Sequence, residues 1–295
     1  MTYTCNSWFK HLLLLIGILV INNISYAQSS IPFTTNSQGH IIIKASINGV
    51  EGNFIFDTGA GLTLITKTFS EKIKGLIKQD DDYTSFRATG EKMTIDLYKA
   101  NSLSLGSYVE QNPELTIIDV NFGEIDGLVS LMSFKNQAFT IDYQKKLIVF
   151  ETAKSLTAIK KHGQTVPLQL EVSRDKTLDI FAYFKVNNKL TLQFCLDSGA
   201  GGNIFRINSK YIPALGVDTI NVIKTFHPSE FNPNIKTTIY TANVQSLAVK
   251  DFPSINCQNI KASFIDGLIY DGIMSIHWIG KKITFDLKKA EMIVI

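Results

Sequence analysis

An internal repeat built around two short acidic turns constrains this 295-residue chain more than any other feature of its sequence. The first copy reads FIFDTGAG from Phe54, and the second reads FCLDSGAG from Phe194. In each copy apolar residues lead into Asp–Thr/Ser–Gly, at Asp57 and at Asp197. One such turn is a weak sign of a site, because Asp, Ser, Thr and Gly are ordinary turn residues. Two copies at equivalent places in a repeat favour a shared role.

A second pair of matching segments follows the two turns in the same order. Residues 126–130 read DGLVS, and residues 271–275 read DGIMS. Beyond each lies a further pair of strand-like segments, which begins at Phe139 in the first half and at Ile283 in the second. Matching landmarks in the same order predict a duplication and two similar lobes.

Short apolar segments with period-two alternation predict an all-β body from His40 onward. The predicted fold is bilobal, with two similar β-barrel-like lobes and the two acidic turns facing each other between them. Strands are predicted at 40–47, 53–56, 138–143, 147–150, 179–186, 190–196, 282–286 and 291–295. Short helical turns are predicted at 67–74, 130–135 and 274–279.

The N-terminal region has the pattern of a secretory signal peptide. Lys10 precedes ten apolar residues at 12–21, and the small residues Ser25 and Ala27 follow. The apolar run is about half of the ~20 residues that span a bilayer, so an uncleaved anchor is the alternative. We therefore predict cleavage near Ala27, export to the periplasm or the medium, and no stable membrane insertion of the mature protein.

The repeat and the signal together predict the organisation of the chain. The polar, lysine-containing stretch 151–164 is the natural junction between the lobes. The predicted units are a signal peptide at 1–27, an N-terminal lobe at 28–152, a junction at 153–165 and a C-terminal lobe at 166–295.

Composition excludes some partners and cofactors. The chain has 29 basic and 26 acidic residues with no basic run longer than two, whereas nucleic-acid binders usually concentrate cations on one face. Cys5 belongs to the predicted signal, which leaves Cys195 and Cys257 to form a disulfide or to remain buried thiols. Because no Cys/His spacing fits zinc, we predict neither a metal nor another cofactor.

Paired acidic turns have a specific chemical use. If the lobes face each other, Asp57 and Asp197 meet, and two close carboxyls share one proton. The ionised carboxylate can take a proton from a water molecule, while the protonated carboxyl donates to the oxygen of a peptide carbonyl. Two facing turns are therefore suited to hydrolysis without a cofactor.

From His40 to Ile295 the sequence resembles the pepsin/retropepsin-like aspartic proteases. The resemblance rests on the two Asp–Thr/Ser–Gly–Ala motifs and on the two later Asp–Gly segments, which are similar to the loops that back each catalytic turn in that family. Together with the predicted signal peptide, it implies an exported aspartic endopeptidase that acts as a monomer on peptide or protein substrates, with an apolar preference beside the cleaved bond.

The resemblance also implies roles for individual residues. Asp57 and Asp197 would be the catalytic pair, and a hairpin flap would cover the cleft at 84–91. The other implied site residues fall into three groups. The catalytic loops include Thr58, Gly59, Ser198 and Gly199, of which Thr58 and Ser198 would hydrogen-bond across the two lobes through their hydroxyls. The backing loops include Gly127, Ser130, Gly272 and Ser275, and the flap includes Phe86 and Gly90, with Gly90 near its tip.

Two places depart from the family pattern. Ser130 and Ser275 stand where the backing loops of the family end in glycine, and a positive φ there would strain a serine. The segment at 223–238 has no glycine and contains His227 followed by proline, so only one flap is predicted.

Two other functions remain open on the sequence alone. A bilobal peptide-binding protein without useful turnover would keep the same cleft, and the two serines motivate that alternative. A glycosidase could also use paired carboxylates, although it needs them ~5–10 Å apart. For a protease, Ala60 and Ala200 lack the hydroxyl donor of a serine, which predicts a mildly acidic rather than a strongly acidic optimum.

Overall fold

Strands carry most of the secondary structure of the computed structural model, which describes residues 29–217, 222–229 and 234–295. The predicted signal peptide lies outside the described residues. In the first half the strands are β1 (Ser30–Thr35), β2 (Ile41–Ile47), β3 (Val50–Asp57), β4 (Leu64–Thr66), β5 (Ile77–Phe86), β6 (Lys92–Lys99), β7 (Ser102–Leu105), β8 (Tyr108–Gln111), β9 (Glu114–Ile118), β10 (Gly127–Ser130), β11 (Phe139–Asp142) and β12 (Leu147–Phe150).

The second half begins after a helix and repeats much of this order. Its strands are β13 (Gln164–Pro167), β14 (Gln169–Ser173), β15 (Thr177–Val186), β16 (Leu190–Leu196), β17 (Phe205–Asn208), β18 (Ile223–Pro228), β19 (Lys236–Val249), β20 (Phe252–Ile265), β21 (Gly272–Met274), β22 (Lys282–Asp286) and β23 (Glu291–Val294). The helices are α1 (Lys67–Ser70), α2 (Ala153–His162) and α3 (Ile212–Leu215), with 3₁₀ turns at Leu131–Phe134, Ser209–Tyr211 and Leu287–Lys289.

Each half contains one sheet with the same central arrangement. In the first half β10 lies between β3 and β4, parallel to β3 and antiparallel to β4. In the second half β21 lies in the same way between β16 and β17. The all-β, two-lobed fold class is thereby confirmed, and the DGLVS and DGIMS segments form the middle strands of the two arrangements.

A third, antiparallel sheet joins the halves, in the order β13-β23-β22-β11-β12-β1. At its centre β11 pairs with β22, so that Thr140 lies opposite Thr284 and their hydroxyl oxygens are 2.7 Å apart. Phe139 stacks on Phe285 beside them, with ring centroids 5.3 Å apart. One continuous apolar core therefore runs through both halves.

The stretch predicted as a junction contains a ten-residue helix, α2, which the strand-rich pattern did not suggest. Thr152 caps its first turn and exchanges hydrogen bonds with Ser155 in a capping box. Lys160 on this helix forms ion pairs with Asp286, at 2.8 Å, and with Glu291. The helix is thus attached to the sheet that joins the two halves.

Two of the three predicted helical turns form, and the third does not. Helix α1 occupies the start of 67–74, and a 3₁₀ turn occupies most of 130–135. The prediction for 274–279 was wrong, because Met274 ends strand β21 and only a turn follows, closed by a hydrogen bond from Ile279 N to Ile276 O. Among the described residues, no helix combines the length and the apolar character that crossing a membrane requires.

Candidate active site

The two aspartates lie at equivalent ends of the repeated strands. Asp57 is the last residue of β3 and pairs with Ser130 on β10, while Asp197 follows β16 directly and donates from its backbone N–H to Met274 O on β21 at 2.9 Å. The Asp57 side chain is only 8% exposed, and Asp197 is half-buried. Each apolar strand thus ends with a carboxyl directed toward the boundary between the halves.

The residues after the aspartates hold the halves together through reciprocal hydrogen bonds. The Thr58 hydroxyl donates to Leu196 O at 2.6 Å and accepts from Ser198 N at 2.9 Å. The Ser198 hydroxyl donates to Phe56 O at 2.7 Å and accepts from Thr58 N at 3.0 Å. Because both hydroxyls are buried and fully used, the network fixes the position of one acidic turn relative to the other.

Two glycines allow the carboxyls to approach. A Cβ atom on Gly59 would lie 2.5 Å from Cγ of Asp197, and one on Gly199 would overlap the Asp57 carboxyl. Neither glycine has a positive φ, so close approach rather than backbone freedom is the reason for glycine at both positions.

The backing loops are tied to the catalytic turns by their serines. The Ser130 hydroxyl lies 3.4 Å from Gly61 O, and the Ser275 hydroxyl accepts from Ile204 N at 3.0 Å. Ser130 has a φ of −83° and Ser275 has no positive φ, so the strain expected of serines at these positions is absent. A Cβ atom on Gly127 would overlap Leu64 O, and one on Gly272 would overlap the Phe194 ring, so both positions require glycine.

The acidic residues of those loops shape them. The Asp126 carboxylate accepts from Asn53 N at 2.9 Å, and the Asp271 carboxylate accepts from Gln193 N at 3.3 Å. Both bonds anchor the loop to the strand that leads to the catalytic turn. These contacts give Asp126 and Asp271 a structural role in the loops.

The two carboxyls form one electrostatic unit. Burial raises the pKa of Asp57 well above its ordinary value, and the negative charge of Asp197 raises it further. Burial also raises the pKa of Asp197, but the hydrogen bond from Asp57 and the positive charge of Arg206 oppose that rise. Two buried carboxyls this close share one proton, and a pair with one proton has the protonation that water activation requires.

A hairpin of strands β5 and β6 covers the cavity beside the pair. Its turn is closed by hydrogen bonds from Arg87 N to Glu91 O at 2.9 Å and from Gly90 N to Arg87 O at 2.8 Å. Gly90 has a φ of +79°, which explains why glycine is needed in this turn. Phe86 lines the cavity and is 57% exposed. The hairpin lies where the sequence predicted a flap.

The second half forms a hairpin at the equivalent place, from β18 and β19. The sequence predicted only one flap, because no glycine occurs at 223–238. Residues 230–233, between its two strands in the sequence, lie outside the described residues. Ser229, just before them, accepts from Arg87 Nη1 at 3.0 Å and donates to Glu91 at 2.6 Å. The second hairpin therefore supports the tip of the first.

Several residues of the cavity were not predicted from the sequence. The cavity has a volume of about 350 Å³ and includes Asp197 in its lining. It is also lined by Tyr83, Glu171, Asp179 and Arg206. These four residues come from β5, β14, β15 and β17, and no motif marks them, because only the folded sheets bring them to the acidic turns.

Both cysteines that the sequence left open are free thiols. Cys195 is buried and lines the cavity, and burial raises the pKa of its thiol. Cys257 lies on β20 opposite Leu247. Within the described part of the chain, no three His, Cys, Asp or Glu side chains group in a way that could hold a metal ion.

Comparison with protein families gives a match within the first half of the chain. Residues 43–132 match the family model described as aspartyl protease. The matched segment contains the first acidic turn, the β5–β6 hairpin and the backing loop of β10. A search of curated proteins gives no match to the chain. The match supports an aspartic protease family, and the second acidic turn lies outside the matched residues.

Proposed function

We propose that this protein is an exported, pepsin/retropepsin-like aspartic endopeptidase that carries both catalytic aspartates in one chain. The observation that carries the proposal is the reciprocal network of Thr58 and Ser198, which places Asp57 beside Asp197. A second support is the family match of the first half. In this proposal the mature protein acts as a monomer, since it supplies both halves of the site itself.

The geometry supports direct attack by water. The ionised carboxylate of the pair takes a proton from a water molecule held between the two acids, while the protonated carboxyl donates its proton to the carbonyl oxygen of the peptide bond. The water oxygen bonds to the carbonyl carbon and gives a gem-diol. The carboxyl that took the water proton then gives it to the amide nitrogen, while the other carboxylate takes a proton from one gem-diol hydroxyl. The C–N bond breaks, the amine and the new carboxylic acid leave, and the pair again holds one proton.

The other two functions are less well supported by these contacts. The binding-only alternative arose from Ser130 and Ser275, which are unstrained and bonded to the catalytic loops. A glycosidase needs its carboxyls at least about 5 Å apart to accommodate the sugar. Asp57 and Asp197 share a hydrogen bond instead.

Incubation of the purified protein with a peptide library from pH 4 to pH 8, read by mass spectrometry, tests the proposal. Asp57→Asn and Asp197→Asn should each reduce cleavage by about a thousandfold or more, because each variant lacks one of the two proton-transfer groups. Asp119→Asn is the matched control, since that carboxylate is exposed and pairs with Lys67 on the surface. A statine-type peptide should block the wild-type activity. Cleavage that survives in both active-site variants, or peptide binding without cleavage at any pH, would contradict the proposal.

A further inference from the structure

The cavity beside the catalytic pair is lined by both acidic and apolar side chains. Glu171 and Asp179 lie opposite each other on β14 and β15, and both line the cavity. The lining also includes the apolar side chains of Leu62 and Ile95 and the buried residue Tyr83. A ligand side chain that enters here can contact both apolar carbon and carboxyl groups.

Asp179 is a half-buried carboxyl without a donor. No described side chain or backbone N–H hydrogen-bonds to it, and the charges that act on it, Glu171 and Asp197, are both negative. Its Oδ2 atom lies 3.6 Å from the position that a Cβ of Gly61 would occupy, so it is directed toward the first catalytic loop. A cationic partner would strongly stabilise the ionised form of a carboxyl in this position, because burying a charge without a partner is costly in free energy.

A second acidic residue of the cavity lining, Asp197, also has an oxygen without a hydrogen-bond partner in the ranges that the structure describes. The Oδ1 atom of Asp197 is fully buried and accepts no hydrogen bond within the described part of the chain. Arg206 is the one cation among the described residues that line the cavity, and its charge acts on Asp197. The cavity therefore offers carboxyl groups to the polar groups of a ligand at two points, one at the catalytic pair and one at Asp179.

We propose that Asp179, with Glu171 at the outer edge, selects peptide substrates that carry a lysine or arginine side chain close to the cleaved bond. The aliphatic part of such a side chain would lie along Leu62 and Ile95, and its cationic end would reach Asp179, as long basic side chains do when they cross apolar surface. This inference rests on the proposed peptidase function and changes its expected substrate. The family resemblance implied an apolar preference instead.

Pairs of peptides test the inference, one with lysine and the other with norleucine at the same position and otherwise identical. The lysine or norleucine is placed at each of eight positions in turn. Norleucine keeps the aliphatic chain and removes the charge. The wild type should cleave the lysine peptide about 10- to 100-fold better, in kcat/KM, at one position, as expected for a charge-assisted hydrogen bond. Asp179→Asn should lower that ratio by about tenfold, mainly through the KM of the lysine peptide.

Further variants separate this inference from the proposed function. Glu171→Gln, at an exposed position, should lower the ratio of kcat/KM for lysine over norleucine peptides by about threefold. This variant tests the inference if Asp179→Asn fails to fold. Asp119→Asn should keep the wild-type ratio. If the wild type cleaves norleucine peptides as well as lysine peptides, or if Asp179→Asn leaves the ratio unchanged, this inference is wrong and the peptidase function stands. If no peptide is cleaved, the proposed function itself fails.

Discussion

At the scale of single residues, the smallest side chains decide how close the two carboxyls lie. Gly59 contacts the Asp197 carboxyl and Gly199 contacts the Asp57 carboxyl, each with no room for a Cβ atom. The hydroxyls of Thr58 and Ser198 then fix this approach through bonds to the backbone of the opposite half. Sterics and hydrogen bonding therefore act together to hold the two carboxyls against each other.

Gly199→Ala tests this steric argument. The new methyl group would displace the Asp57 carboxyl, so we expect peptide cleavage to fall about a hundredfold or more, with about 1–3 kcal/mol lost from the free energy of unfolding. Gly202→Ala is the matched control, because its Cβ would meet only ordinary contacts, at 3.6 Å from Gln38 O and 3.8 Å from Gly39 Cα. Cleavage rates and urea denaturation measure the two effects. A Gly199→Ala enzyme with the wild-type rate would contradict the argument.

Repetition is what made some site residues predictable. Asp57, Thr58, Asp197 and Ser198 occur in matching motifs, so the sequence alone could single them out. Asp179 could not be found in this way, because it lies within an ordinary alternating strand and reaches the cavity only when β15 packs beside the first catalytic loop. The same holds for Arg206 on β17 and Tyr83 on β5.

At the scale of elements, the β5–β6 hairpin is held down by the second half of the chain. Ile269 N donates to Ala88 O at 2.9 Å, and Ser229 connects Arg87 with Glu91 at the hairpin tip. The sequence located this hairpin through Gly90. It could not locate the supporting contacts, since the second hairpin has neither a glycine nor a motif in common with the first.

Ser229→Ala should loosen the hairpin tip. Loss of the hydroxyl removes a bridge between two charged side chains, so we expect amide exchange at Ile269 and at residues 87–90 to become about three- to tenfold faster. Hydrogen–deuterium exchange with peptide-level mass spectrometry measures it. Ser254→Ala serves as the control, since that hydroxyl pairs only with the exposed Gln164. Equal exchange in both variants would show that Ser229 does not restrain the hairpin.

At the scale of the whole molecule, the central sheet makes the two halves one body. Strands β1, β11 and β12 come from the first half, and β13, β22 and β23 come from the second. The repeat predicted that the halves are alike, but a repeat does not reveal that their terminal strands pair with each other. The lobe boundaries drawn from the sequence stay predictions. Helix α2, within 153–165, adds a contact between the lysine-containing junction and this sheet.

The electrostatics of the whole cleft set the expected pH range. Burial raises the pKa of both catalytic carboxyls, and Asp179, whose pKa is raised to about 7 chiefly by burial, adds negative charge as it ionises. Arg206, His40 and Cys195 also interact electrostatically with Asp197. Activity requires one proton on the pair, so it is lost when the pair takes up a second proton at low pH and when it loses its only proton at high pH.

The dependence of kcat/KM on pH, measured from pH 3 to pH 9 with a cleaved peptide, tests the shared-proton pair most directly. We expect a bell-shaped profile whose acidic limb lies above the ordinary aspartate pKa of about 3.9, because burial raises the pKa of both carboxyls. Asp57→Asn and Asp197→Asn should show no measurable profile. A rate that rises with pH to a plateau above about pH 8 would contradict the account, because a pair without its proton could not protonate the peptide carbonyl.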